Sequence, residues 1–293
     1  MKNYDIFTDS SCDLNSDVIE KYDLKVMQLE VTIDDKEPVY NRDIDIDKFY
    51  EQLSNGANAK TSAVTLGQFK DHMKESLEAG RDILYLGFSS GLSATYNNGV
   101  MIINELREKY PDRKIIDIDT LCATGGQGLV VYYAAKLKEE GASIEEVEQK
   151  VLAMKDRVQH QVKVNDLFFL KRGGRISATT AIAGSMLNIK PIITMDITGH
   201  LATIGKVRGR KAAVADLFKR MKANEQLSEL PYVFISHSAC IDEAEKLKEM
   251  VLEDYPNAEV TIGNIGPVIG AHTGPGALVI SYLSSEPKIN PTT

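Results

Sequence analysis

Short apolar runs alternate with helix-period segments throughout the first half of the chain, and that alternation leaves few architectures open. Tyr4–Thr8, Asp82–Gly87 and Lys114–Ile118 read as strands; Ser16–Tyr22, Leu66–Ala79, Ser93–Lys109 and Gln127–Glu139 read as helices. In the second helix Leu66, Phe69, Met73 and Leu77 recur at spacings of three and four, the period of one buried face. Strands separated by helices of this length form parallel βαβ units. Ligands of open parallel sheets bind at the carboxyl ends of the strands. The loops TDSSCD, GFSSGLSAT and DIDTLCATGG, which follow the three strands, are therefore expected along one sheet edge.

The second half is less regular. Ser143–Arg157 opens with a cap serine and a glutamate three residues on. A strand-like stretch over 162–170 follows, then the turn KRGGR, a small apolar helix from Ser177, and a hairpin over 191–209 turning near Thr198-Gly199. Arg210–Ala223 and Ile241–Leu252 read as helices, and Tyr232–Ser236 and Glu259–Gly263 as strands. The end reads as a glycine-rich loop and a last strand. This pattern predicts a mixed sheet, with a domain boundary between 155 and 160 that divides the chain into residues 1–158 and 159–293.

Composition removes several functional classes. With 34 basic and 42 acidic side chains the net charge is −8, a poor match to nucleic acid or an anionic membrane. Cys12, Cys122 and Cys240 are odd in number and form no CxxC, so neither a zinc ribbon nor a dithiol centre is expected. Reduced cysteines and the lack of a long apolar segment at the N-terminus place the expected compartment in the cytoplasm. No HExxH, HxxxH, Walker A or GxGxxG pattern occurs, so no metal, nucleotide or other resident cofactor is expected.

Gly87-Phe88-Ser89-Ser90-Gly91 fits GxSxG between a strand and a helix, the setting of a nucleophile elbow. A serine esterase using Ser89, with His272 as base, is one reading, although no HGGG-type segment accompanies it. A second is a plain Gly/Ser-rich strand-to-helix turn, and a third is that hydroxyls and helix N-terminal N–H groups hold an anion without reacting with it. Ser93 stands at a natural N-cap, Thr61 and Ser62 precede the Leu66 helix, and Thr65 is positioned to cap that helix. His272 lies among glycines 266, 270, 274 and 276. KRGGR and KVRGRK bring seven cations to an acidic protein, either a solvated cluster or a docking face for a partner or phosphoryl group.

Taken together, TDSSCDL (8–14), KTSAV (60–64), GFSSGLSATYNN (87–98), DTLCATGGQG (119–128), LKRGGRIS (170–177), NIKPI (188–192), KVRGRKAA (206–213) and GAHTGPGALVISY (270–282) resemble the DegV family. That family includes the fatty-acid-binding subunits of bacterial fatty acid kinase. The resemblance implies an N-terminal three-layer α/β/α domain with a parallel sheet and a C-terminal two-layer α/β domain with a mixed sheet. A long-chain, palmitate-like fatty acid would lie in a tunnel between them. It implies that Thr61 and Ser93 hold the carboxylate, with Ser62, Ala94 and His272 beside it, and that Arg172 and Arg175 meet a kinase catalytic subunit or phosphoryl group. The chain itself would then be no enzyme, and its membrane contact at most transient; a carrier without a kinase partner shares every pocket feature. AIAGSMLNI (181–189) and PIITM (191–195) are candidate tunnel walls. Cys12, where the family carries a small residue, is expected to alter a loop near the head group; Val64, followed where proline is common, removes no contact.

Overall fold

In the computed structural model, residues 3–165, 167–176 and 188–290 are described. The strands are β1 (Tyr4–Asp9), β2 (Lys25–Met27), β3 (Glu30–Ile33), β4 (Val39–Tyr40), β5 (Ala59–Ser62), β6 (Asp82–Gly87), β7 (Ile115–Asp119), β8 (Val158–Lys163), β9 (Ile189–Met195), β10 (Leu201–Arg208), β11 (Tyr232–His237), β12 (Glu259–Asn264) and β13 (Leu278–Leu283). The helices are α1 (Ser16–Lys21), α2 (Ile46–Ser54), α3 (Leu66–Glu78), α4 (Thr95–Lys109), α5 (Thr124–Glu139), α6 (Ile144–Lys155), α7 (Phe168–Arg172), α8 (Arg210–Asn224), α9 (Ile241–Asp254) and α10 (Pro267–Thr273).

Three sheets result. The first is parallel, in the order β2-β1-β6-β7, and buried on both faces: Ile6 packs with α5 while Phe7 packs on the side of α3 and α4. The second is mixed, in the order β10-β9-β8-β13-β11-β12, and is antiparallel except between β11 and β12. A small antiparallel sheet, β4-β3-β5, was not anticipated from the sequence. Its strands are too short, and β4 too exposed, to show a period of two.

Helix α5 is the hinge of the architecture. It packs on β1 and β6 of the first sheet and on β8, β11 and β13 of the second. Nearly every residue from Thr124 to Leu137 is buried, so no polar stripe marked it out. Gly128 is required there, because a Cβ would press on the Cys12 carbonyl oxygen. Helices α8 and α9 cover the opposite face of the second sheet. The capping box of Ser143 and Glu146 starts α6 as expected.

Two expectations need correction. The strand over 162–170 is instead β8, which starts at Val158 and ends at Lys163, followed by helix α7. Buried Gln159, Gln161 and Lys163 on its second face disguised the earlier half. The glycine-rich loop around His272 is helix α10, entered at Pro267, whose fixed φ suits a first helical turn. The apolar helix expected from Ser177, and most of the 181–189 segment, lie outside the described residues.

Candidate functional site

A cavity of about 270 Å³ lies between the carboxyl-end loops of the first half and one face of the second sheet. The sheet contributes Val162 from β8, with Val164 just beyond its end, Ile193 and Met195 from β9, and Val279 from β13. Leu29, Phe88, Leu92 and Leu170 extend this apolar wall. The polar atoms gather elsewhere. Thr61, Ser62, Ser93, Ala94 and His272, all singled out from the sequence, line this one cavity.

The local backbone explains the convergence. Thr61 and Ser62 end β5, an edge strand paired with β3, so Thr61 sits opposite Val31. Thr65 caps α3 through Gln68 N–H, as expected. Helix α4 begins at Thr95 rather than Ser93, yet the Ser93 hydroxyl accepts the Thr95 N–H at 3.2 Å and so acts at the helix start. Ser93 Oγ and Thr95 Oγ1 are 3.0 Å apart, and Thr95 Oγ1 accepts from Val64 N–H at 3.4 Å. Asn98 Nδ2 donates to the Val64 carbonyl at 2.9 Å. The β5–α3 connection is thereby tied to the start of α4.

His272 approaches from the other half of the chain. Its Nε2 lies 2.9 Å from Thr61 Oγ1. Burial, reinforced by Arg175 and Arg172, pushes its pKa down to about 4, so the imidazole is neutral at pH 7. It packs on the end of α7 at Gly173, where a Cβ would overlap the ring. The glycine of KRGGR is thus a steric condition for the Thr61–His272 contact.

A second space of about 280 Å³ adjoins the first, lined by Asn58, Lys60, Arg172 and Gly173. Thr61, Arg175 and His272 line both, forming the partition between an apolar chamber and a cationic vestibule. Arg175 is half-buried; its Nε donates to the Leu92 carbonyl at 3.1 Å and its Nη1 to the Gly173 carbonyl at 2.5 Å. No carboxylate partner of Arg175 occurs among the described residues. Exposed Arg172 lies over the Phe168 and Phe169 rings at 5.4 and 4.9 Å. The seven cations do not act as one group: Arg210 pairs with Glu243, which also holds buried Lys163.

Ser89 is not presented at an exposed elbow. Its hydroxyl is fully buried and donates to the Gly199 carbonyl at 2.7 Å, so it joins the two halves of the chain. Cys12 is also displaced from its expected role, packing with Leu14 and Leu129 in the core around α5 rather than beside the head-group residues. Sequence reasoning missed His160, which lines the cavity from β8, and placed Arg175 at a partner or phosphoryl contact without foreseeing that it also lines the chamber. No cluster of three or more potential metal ligands occurs among the described residues. No helix among them is long and apolar enough to cross a membrane.

This is an α/β architecture of three sheets framing an apolar chamber with polar residues at its mouth. The DegV family model matches residues 3–285, and the chain belongs to the DegV family. A DegV domain-containing protein of Clostridium perfringens is 41% identical over 285 residues, covering 97% of this chain and 98% of its own. Among solved structures, a fatty-acid-binding DegV family protein from Thermus thermophilus superposes with a TM-score of 0.86 at 29% identity, covering 96% of this chain and 99% of its own. A stearic-acid-binding protein from Eubacterium ventriosum does so at 0.85 and 25% identity, covering 96% and 98%.

Proposed function

We propose that this protein binds a long-chain fatty acid in the apolar chamber and presents its carboxylate through the vestibule to a separate kinase, which forms the acyl phosphate. The observation that carries this reading is the partition itself: Thr61 and His272, with Ser93 close by, stand where an apolar chamber meets a cationic space. A carboxylate offers only acceptors, so it needs donors. In its Nε2–H tautomer neutral His272 donates to Thr61 Oγ1, which leaves the Thr61 O–H for the ligand. With Thr95 Oγ1, which accepts from Val64 N–H, as the donor to Ser93 Oγ, the Ser93 O–H is likewise left for the ligand. Ser62 and the α4 entrance at Ala94 complete the shell.

The acyl tail needs only the sheet wall. Each buried methylene contributes roughly 0.8 kcal/mol, so a C16 tail contributes on the order of 10 kcal/mol before ordering costs. Arg172, Arg175 and Lys60 would meet the partner or the phosphoryl group. The kinase supplies ATP, metal and catalysis; this chain supplies position. Residues 1–158 carry most of the head-group loops, residues 159–293 carry the tail wall, and the reduced cysteines suit a cytoplasmic setting.

Titration calorimetry of stearate into delipidated protein tests this. Thr61→Val and Ser93→Ala should each weaken binding about tenfold, the loss of one charge-assisted hydrogen bond. Unchanged affinity in both variants would move the carboxylate away from this site.

A further inference from the structure

Ser93 lines the cavity, and what its hydroxyl can offer a ligand is decided by Thr95, two residues on. Thr95 is fully buried at the first position of α4. Its Oγ1 has two hydrogen-bonding neighbours among the described residues, Val64 N–H at 3.4 Å and Ser93 Oγ at 3.0 Å. From the same helix Asn98 Nδ2 donates to the Val64 carbonyl at 2.9 Å, so the Val64 peptide is gripped on both sides.

The place of each proton follows from what each group can satisfy. A backbone N–H only donates, so Thr95 Oγ1 accepts from Val64. The Thr95 O–H is cut off from water, and among the described residues its one acceptor is Ser93 Oγ. Were Ser93 to donate instead, the Thr95 proton would stay buried and unpaired, which is costly and rare in folded interiors. Ser93 Oγ also takes the Thr95 backbone N–H at 3.2 Å. A hydroxyl oxygen accepts two hydrogen bonds and donates one. One residue thus fills both acceptor positions of Ser93, and only the Ser93 proton is left over. The relay runs one way, from Val64 N–H through Thr95 to Ser93 and on into the cavity.

We propose that Thr95 is a positioning residue that makes Ser93 an obligate donor, so that the site selects head groups that only accept: an ionised carboxylate in preference to an alcohol, a primary amide or a protonated acid. Each of the last three brings an O–H or N–H that Ser93 has no lone pair left to take. A carboxyl group entering an apolar chamber is pushed toward its neutral form. A donor that cannot turn round opposes that push and holds the head group ionised.

This inference rests on the fatty-acid reading, and one set of titrations separates the two. Delipidated protein is titrated with stearate and with octadecanol, which has the same chain length and no charge. Thr95→Val keeps the branched shape and removes the relay. Stearate should weaken about tenfold, while octadecanol changes by less than about threefold because Ser93 regains a free acceptor position. Thr95→Ser returns the hydroxyl and should restore the affinity for stearate. On a Ser93→Ala background, Thr95→Val should weaken stearate by no more than about a further twofold. A Thr95 that is merely structural would weaken both ligands alike and add its full effect to that of Ser93→Ala; either result would overturn the relay and leave fatty-acid binding standing. The carbon-13 shift of carboxyl-labelled stearate bound to the wild-type protein reads the same relay with no substitution. It should report an ionised head group from about pH 8 down to about pH 5, and a protonated one within that range would overturn the relay. Failure of the wild-type protein to bind stearate would overturn both.

Discussion

The two walls of the cavity are built by different means. The wall from the first half consists of loop and helix-start residues, whose hydroxyls are aimed by local hydrogen bonds such as Ser93 to Thr95. The wall from the second half is a sheet face, where register alone places Val162, Ile193 and Val279 side by side. On the proposed reading the loops suit the charged end, because they present donors at chosen angles. A sheet provides a smooth apolar surface that asks little of the tail beyond length. His160, which lines the cavity from β8, is a polar departure in that sheet wall.

Exchanging the chemistry of the walls should have the largest effect. Val162→Asp puts an unpaired carboxylate into the sheet face, and should cost on the order of 3 kcal/mol or more in urea denaturation and abolish stearate binding. A stable, stearate-binding Val162→Asp protein would mean that the tail lies elsewhere. Gly173→Ala attacks the other wall by displacing His272. It should cost about 1–3 kcal/mol and weaken stearate at least as much as Thr61→Val.

The pH dependence sharpens the contrast. An unfolded imidazole takes up its proton near pH 6.5, but buried His272 resists until about 4. Between those values the unfolded chain binds more protons, so His272 contributes stability at neutral pH that is lost as pH falls from about 6.5 toward 4, up to about 3 kcal/mol. Asp13, whose carboxyl burial raises to about 7, acts in the opposite sense over the same range. The difference in urea midpoints between wild type and His272→Gln isolates the histidine. That difference should narrow on acidification; a constant difference would show that His272 takes up its proton in the fold at the same pH as in the unfolded chain.

Smaller effects are expected at the vestibule and at Ser89. Arg172→Ala combined with Arg175→Ala should leave stearate affinity within a few-fold, since the tail wall is intact, yet lower kinase-dependent acyl-phosphate formation by about tenfold or more. Unchanged formation would remove the docking role. Ser89→Ala should cost about 1 kcal/mol through the lost Gly199 contact, and a fluorophosphonate should leave wild-type Ser89 unlabelled. Labelling would restore an esterase reading.

The parallel sheet and its loops were legible because buried parallel strands and helix-period segments leave strong local patterns, as Tyr4–Asp9 and Leu66–Glu78 do. Thr61, Ser93 and His272 could be named from motif chemistry, but their meeting depends on a contact 211 residues apart in sequence. His160 was not legible: a lone histidine in VQHQVK carries no sign that its face of β8 looks into a chamber. Helix α7 was misread because the short polar pair Asn165-Asp166 was taken as part of one apolar run, whereas Asn165 bonds to a distant carbonyl, that of Pro275, just after the strand ends.

The central claim is that a fatty acid occupies the chamber between the two walls. Mass spectrometry of the protein as purified, native and then denatured with lipid extraction, tests it most directly. The account predicts a stoichiometric C14–C18 fatty acid, retained less by Thr61→Val and Ser93→Ala. Protein that carries no lipid, with a thermal midpoint that added palmitate does not raise, would contradict it.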